Sequence, residues 1–138
     1  MLLPVLHRLG GRWLTAPLDV FFPGADPVQP DLLVLLPGGQ ARLVRRGIEG
    51  PPDLIVEVLS PANSAHDQVR KRELYARGGV REHWIVDPEQ RVIEVINERG
   101  VTVHRLDAGS EPILRSSLMG DLVVSLDEIF PGVDDLPV

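Results

Sequence analysis

A carboxylate stands where a strand should be apolar. Glu57 interrupts the run Leu54-Ile55-Val56-Glu57-Val58-Leu59, which otherwise reads as a fully buried β-strand. An isolated ionised carboxylate there would cost on the order of several kcal/mol or more. Glu57 must therefore be protonated, paired or bound to a cation. Asp31 opens a second apolar run, directly after Gln29-Pro30. Lys71 is the only lysine among the 14 basic residues, the other 13 being arginine. Two acids and one ammonium can together hold a divalent metal and a water nucleophile, which is the chemistry of hydrolysis.

These three residues need elements to position them. Leu32–Leu36 and Leu54–Leu59 are short runs, apolar apart from Glu57 and bounded by turn residues, as expected of central strands covered on both faces. Between them, residues 40–52 read as a basic stretch followed by a loop: Arg42, Arg45 and Arg46 precede Gly47, Gly50, Pro51 and Pro52. Residues 1–12 carry a helical apolar pattern ended by Gly10-Gly11, and Leu18–Phe22 reads as a short strand.

The clearest helix comes next. Ser64 with Asp67 three positions later fits a capping-box start, and Gly78-Gly79 supply the stop after Arg77. A step of about 100° per residue puts Asp67, Lys71, Leu74, Tyr75 and Gly78 on one stripe and Arg70, Glu73 and Arg77 on another that faces solvent. The single lysine thus shares a face with the bulky residues that pack on the sheet. His83–Val86 is a strand, and Arg91–Asn97 alternates as one. Asn97-Glu98-Arg99-Gly100 turns the chain into Val101–Leu106. Leu122–Val124 is a last short strand, and Ser125 caps a turn of helix over Leu126–Phe130.

Composition narrows the class. A chain of 138 residues is one domain with room for a core. With no cysteine, disulfides and thiolate-held zinc are excluded. No apolar stretch reaches the ~18 residues of a spanning helix, and MLLPVLHRLGGR makes a poor secretory signal, so the sequence reads as that of a cytoplasmic protein away from membranes. A net charge of −6 disfavours strong non-specific nucleic-acid binding while leaving local basic patches free to act.

The order of these pieces resembles the PD-(D/E)XK nuclease superfamily and, within it, the Uma-type family of restriction endonucleases. QPDLLVLL, GPPDLIVEVLSP, KRELYARGGVREHWIVDP and GDLVVSLDEIF occur in the family's order across roughly residues 18–130. The resemblance implies an α/β (α+β mixed) fold with a restriction-endonuclease-like core, a central mixed β-sheet flanked by helices. Asp31 matches the aspartate of the PD motif and Glu57 the acid of the (D/E)XK half-motif. The superfamily's lysine position, two beyond Glu57, holds Leu59; Lys71 matches the family's alternative place on the following helix, with Tyr75 as its companion. The activity implied is magnesium- or manganese-dependent hydrolysis of DNA phosphodiesters. Asp31, Glu57 and the Val58 carbonyl would be the metal ligands, Lys71 would steady the attacking water or offset developing charge, and Arg42, Arg45 and Arg46 would contact phosphate.

Members of the family begin earlier, with a further helix and a hairpin that carries a glutamate. A sheet without those strands exposes an edge, so a homodimer is expected. Asp53 shares Glu57's strand face by the period-two rule, and a turn role fits it better than a ligand role. His66, His83 and His104 lack metal-ligand spacing and read as structural or exposed. Two other functions stand beside the endonuclease. One is a catalytically inactive nucleic-acid- or partner-binding module that retains the nuclease fold. The other is a two-carboxylate glycosidase, disfavoured by a chain with two Trp and one Tyr.

Overall fold

The two apolar runs become neighbouring strands. The computed structural model describes residues 11–61, 65–105, 113–116, 118 and 120–123. In chain order the strands are β1 (Arg12–Thr15), β2 (Val20–Phe21), β3 (Leu32–Leu35), β4 (Arg42–Val44), β5 (Gly47–Glu49) and β6 (Leu54–Val58). Helix α1 (Ala65–Gly78) follows, then β7 (Glu82–Asp87), β8 (Val92–Asn97), β9 (Gly100–Arg105), β10 (Ile113–Ser116) and β11 (Gly120–Val123). The expected helix over 1–12 lies almost wholly outside the described residues, and the Ser64 cap and the turn over Leu126–Phe130 lie wholly outside them.

Six strands form the main sheet in the order β1-β3-β6-β7-β8-β9. β6 and β7 run parallel, and every other neighbouring pair is antiparallel, so the sheet is mixed. A parallel pair needs a crossover, and α1 supplies it between β6 and β7. The fold is α+β, with α1 the one helix among the described residues. β6 lies at the centre, and Leu54, Ile55 and Val56 are buried on both faces.

Residues 40–52 are not the loop that their charge implies. Arg42–Val44 and Gly47–Glu49 form a hairpin closed by Arg45-Arg46, and β5 also pairs in parallel with β2 to give a three-stranded sheet. Gly47 makes this possible: its φ is +144°, and a Cβ there would lie 2.3 Å from the Asp19 carbonyl oxygen. The buried Ile48 ties this small sheet to the core formed by Val20, Phe22, Val28, Leu33, Ile55 and Tyr75. The final strand also has a partner that the sequence pattern did not show, since β10 pairs antiparallel with β11.

α1 packs as its stripe dictates. Tyr75 is buried, Lys71 and Leu74 are half-buried, and Arg70, Glu73 and Arg77 are exposed. Gly78 lies against Phe22, whose ring would be 2.5 Å from any Cβ at that position. This close approach presses the helix onto the core just past Tyr75.

Candidate active site

Register brings the two acids together. Leu32 pairs with Val56 and Leu33 with Ile55 across β3 and β6. One step further along the same register, Asp31 stands opposite Glu57. Period-two alternation puts Asp31, Leu33, Ile55 and Glu57 on the face that α1 covers. An Asp31 carboxylate oxygen (Oδ2) accepts the Val58 N–H at 2.7 Å, which fixes the aspartate to the end of β6. The N–H and C=O of one strand residue point to the same side, so the Val58 carbonyl faces the Asp31 side of the strand.

Glu57 is held from the helix. The Tyr75 hydroxyl donates to Glu57 Oε1 at 2.6 Å. Lys71 Nζ lies 3.8 Å from Glu57 Oε2 and 3.5 Å from Asp67 Oδ2, and its side chain is only 20% exposed. The lysine therefore points into the site, as an ion pair at the long end of the range. Burial pushes the Glu57 carboxyl above its ordinary 4.5; the Tyr75 hydrogen bond and the Lys71 charge pull it back, and Asp31 and Asp67 raise it further. Asp67 moves the other way: the hydrogen bond from Arg70 lowers it, against a small desolvation, with Lys71 adding to the lowering. Burial beside Glu57 raises the Tyr75 hydroxyl, so it stays a neutral donor.

Two carboxylates, Glu57 and Asp67, thus flank one ammonium, and a third, Asp31, stands opposite Glu57 across the strands. A cation would relieve both the excess negative charge and the desolvation of Glu57. No group of three or more His, Cys, Asp or Glu side chains is set to hold a metal among the described residues. The donors at hand are two carboxylates and a backbone carbonyl, a sparse set of hard oxygens. Magnesium is commonly bound by so few protein ligands because it keeps several of its waters.

The sequence profile of the Uma2 family, described as "Putative restriction endonuclease", matches residues 2–138. The chain belongs to the Uma2 family. Among solved structures, this Uma2 chain is similar to a "putative nuclease belonging to DUF820" from Anabaena variabilis ATCC 29413. The two are 18% identical with a TM-score of 0.69, over 94% of this chain and 74% of that one. At that identity the likeness shows a shared fold. No curated protein matches the chain.

For this Uma2 chain, the structure gathers Asp31, Glu57, Val58, Lys71 and Tyr75 at one end of β6 and the facing side of α1. It does not gather the three arginines there. Arg46 pairs with Glu49 at 3.1 Å and lies 3.9 Å over the Phe21 ring, while Arg42 and Arg45 are exposed on the small hairpin. None of the three pairs with Asp31, Glu57 or Lys71 among the described residues. Asp53 has the turn role: its Oδ2 accepts the Leu36 N–H at 2.7 Å, and Arg81 approaches Oδ1 at 3.7 Å. No helix among the described residues is long and apolar enough to cross a membrane.

Two residues of the site were not singled out from the sequence as part of it. Asp67 reads as a capping residue, yet it is the nearer carboxylate to Lys71; its place on the Lys71 stripe was the available signal. His83 reads as structural or exposed, yet it lines the small cavity beneath Glu57 and Lys71 and touches Tyr75 edge-on, with ring centroids 4.9 Å apart. Only the β6–β7 register, which pairs Ile55 with His83, reveals which face it takes.

Proposed function

We propose that this chain is a metal-dependent endonuclease that hydrolyses DNA phosphodiester bonds. The observation that carries the reading is Glu57: a buried carboxylate opposite Asp31, hydrogen-bonded by Tyr75 and faced by the only lysine. Membership of a family described as restriction endonucleases supports it. Asp31, Glu57 and the Val58 carbonyl are the residues that would hold magnesium or manganese. Such a cation, when bound, supplies Lewis-acid stabilisation of the phosphoryl oxygens and a lowered pKa for a bound water.

The chain's own residues do the rest. Tyr75 spends its one proton on Glu57 Oε1, which keeps that carboxylate in a single orientation and leaves Oε2 toward Lys71. Lys71, held between Asp67 and Glu57, is placed to steady an attacking water and to offset charge developing on a phosphate. Asp31 is tied to the Val58 amide through Oδ2, which leaves Oδ1 uncommitted by that bond as a ligand oxygen. Two copies of the chain are expected to act together: β1 and β9 are the edges of the main sheet, and β9 exposes Val101 and Val103. Elution as a monomer at micromolar concentration would contradict the dimer.

The test is cleavage of supercoiled plasmid, short duplex and single-stranded DNA with magnesium or manganese. Wild type should cleave at least one form, and Glu57→Ala and Asp31→Ala, still folded, should not. A folded wild type that binds the metal yet cleaves none of the forms would leave a binding module that retains the fold.

A further inference from the structure

His83 is a buried polar side chain at the edge of this site. It is 5% exposed, and neither of its ring nitrogens has a hydrogen-bond partner among the described residues. A buried imidazole with both nitrogens unpaired is costly, and buried polar groups without protein partners are commonly satisfied by an ordered water. The space for one is present. A cavity lined by Glu57, Leu59, Asp67, Gln68, Lys71, His83 and Ile85 leaves about 10 Å³ open to the centre of a water molecule. That is about the room one water needs, provided it meets two to four polar partners. Glu57 Oε1 is engaged by Tyr75, so Glu57 Oε2, Lys71 and His83, with Asp67 and Gln68 at the rim, are the polar groups that line that space.

We propose that His83 is a positioning residue of this site. Through a single ordered water shared with Glu57 and Lys71, it fixes the carboxylate and the ammonium from behind, without touching substrate. Its edge-on packing against Tyr75 holds the imidazole in register with the hydroxyl that grips Glu57 from the other side. The neutral ring suits this role, since the one nitrogen that meets the water can serve as its donor or its acceptor. Burial keeps it neutral by pushing its pKa down to about 4, helped by the charges of Arg72 and Lys71. The consequence for a metal rests on the endonuclease reading; the water and the Glu57 conformer do not.

The experiment is a high-resolution crystal structure of the wild type and of His83→Phe, with nitrogen-15 NMR of the wild-type imidazole and manganese titration of both proteins. His83→Phe keeps a ring against Tyr75 and removes both nitrogens; His83→Gln restores a polar group and should restore the water. The expected result has four parts: one ordered water bonded to His83, Glu57 and Lys71 in the wild type; a single neutral tautomer; a displaced Glu57 in His83→Phe; and manganese affinity lower by about 10–100-fold in that variant. No water in the cavity of the wild type, or an unmoved Glu57 in a folded His83→Phe, would overturn the proposal. A wild type that binds no manganese would count against the endonuclease reading, and the water and the Glu57 conformer would still decide the role of His83.

Discussion

Removing one hydroxyl tests how Glu57 is held. In Tyr75→Phe the ring remains, and with it the contacts to Phe22 and His83, whose ring centroids lie 5.8 and 4.9 Å from that of Tyr75. What is lost is the donor 2.6 Å from Glu57 Oε1. A hydrogen bond to a charged group contributes about 1.5–3 kcal/mol. For a chain of this size that is roughly 3 °C per kcal/mol, so a fall in Tm of about 5–9 °C is expected at pH 8, without divalent metal. The loss should shrink at pH 5. There Glu57, whose pKa burial has raised, carries a proton more of the time, and a neutral carboxyl loses less with its donor. Thermal unfolding followed by circular dichroism at both pH values reads the difference. An unchanged Tm at pH 8, or an equal loss at both pH values, would refute the claim that Tyr75 serves the charged form of Glu57.

Three further outcomes follow from the same contacts. Because burial raises Glu57 above 4.5, the folded chain keeps a proton that the unfolded chain has released, so stability without metal should fall as pH rises from 4.5 through the folded value; Glu57→Gln should flatten that slope in urea unfolding. His83 acts with the opposite sign: its pKa drops from 6.5 to about 4 on folding, so the unfolded chain binds the extra proton in that window. Stability should then fall as pH is lowered from 6.5, by about 3 kcal/mol in all, and His83→Phe should remove this acid sensitivity. Asp53→Ala frees the Leu36 N–H and should cost about 1–3 kcal/mol in denaturant, with manganese binding, measured by calorimetry, unchanged.

Much of this arrangement is legible in the sequence. Two apolar runs and one amphipathic stripe are long-period signals, and they place Glu57 in a central strand and Lys71 on the packed face of α1. The partners of those residues were harder to read. That Asp31 meets Glu57 depends on a cross-strand register, which the sequence expresses only through the likeness of its motifs to a family. The β4–β5 hairpin was hidden because its turn is Arg45-Arg46 in place of the Asn-Gly or Asp-Gly pairs that mark tight hairpins. Its basic composition resembles a solvated loop, and its fixing contact, Gly47 against the Asp19 carbonyl, joins residues far apart in sequence. His83 reads as structural or exposed for a related reason. A single histidine in a strand takes its meaning from its neighbours across the sheet, here Ile55 on β6 and Tyr75 on the helix above.

The central claim is that Asp31 and Glu57 share a divalent cation. Calorimetric titration of manganese into wild type, Asp31→Ala and Glu57→Ala, each with and without a short DNA duplex, tests it most directly. The wild type should bind, and each folded variant should lose that binding or have it weakened at least about tenfold. Equal binding by all three proteins, or none by the folded wild type even with duplex present, would contradict it.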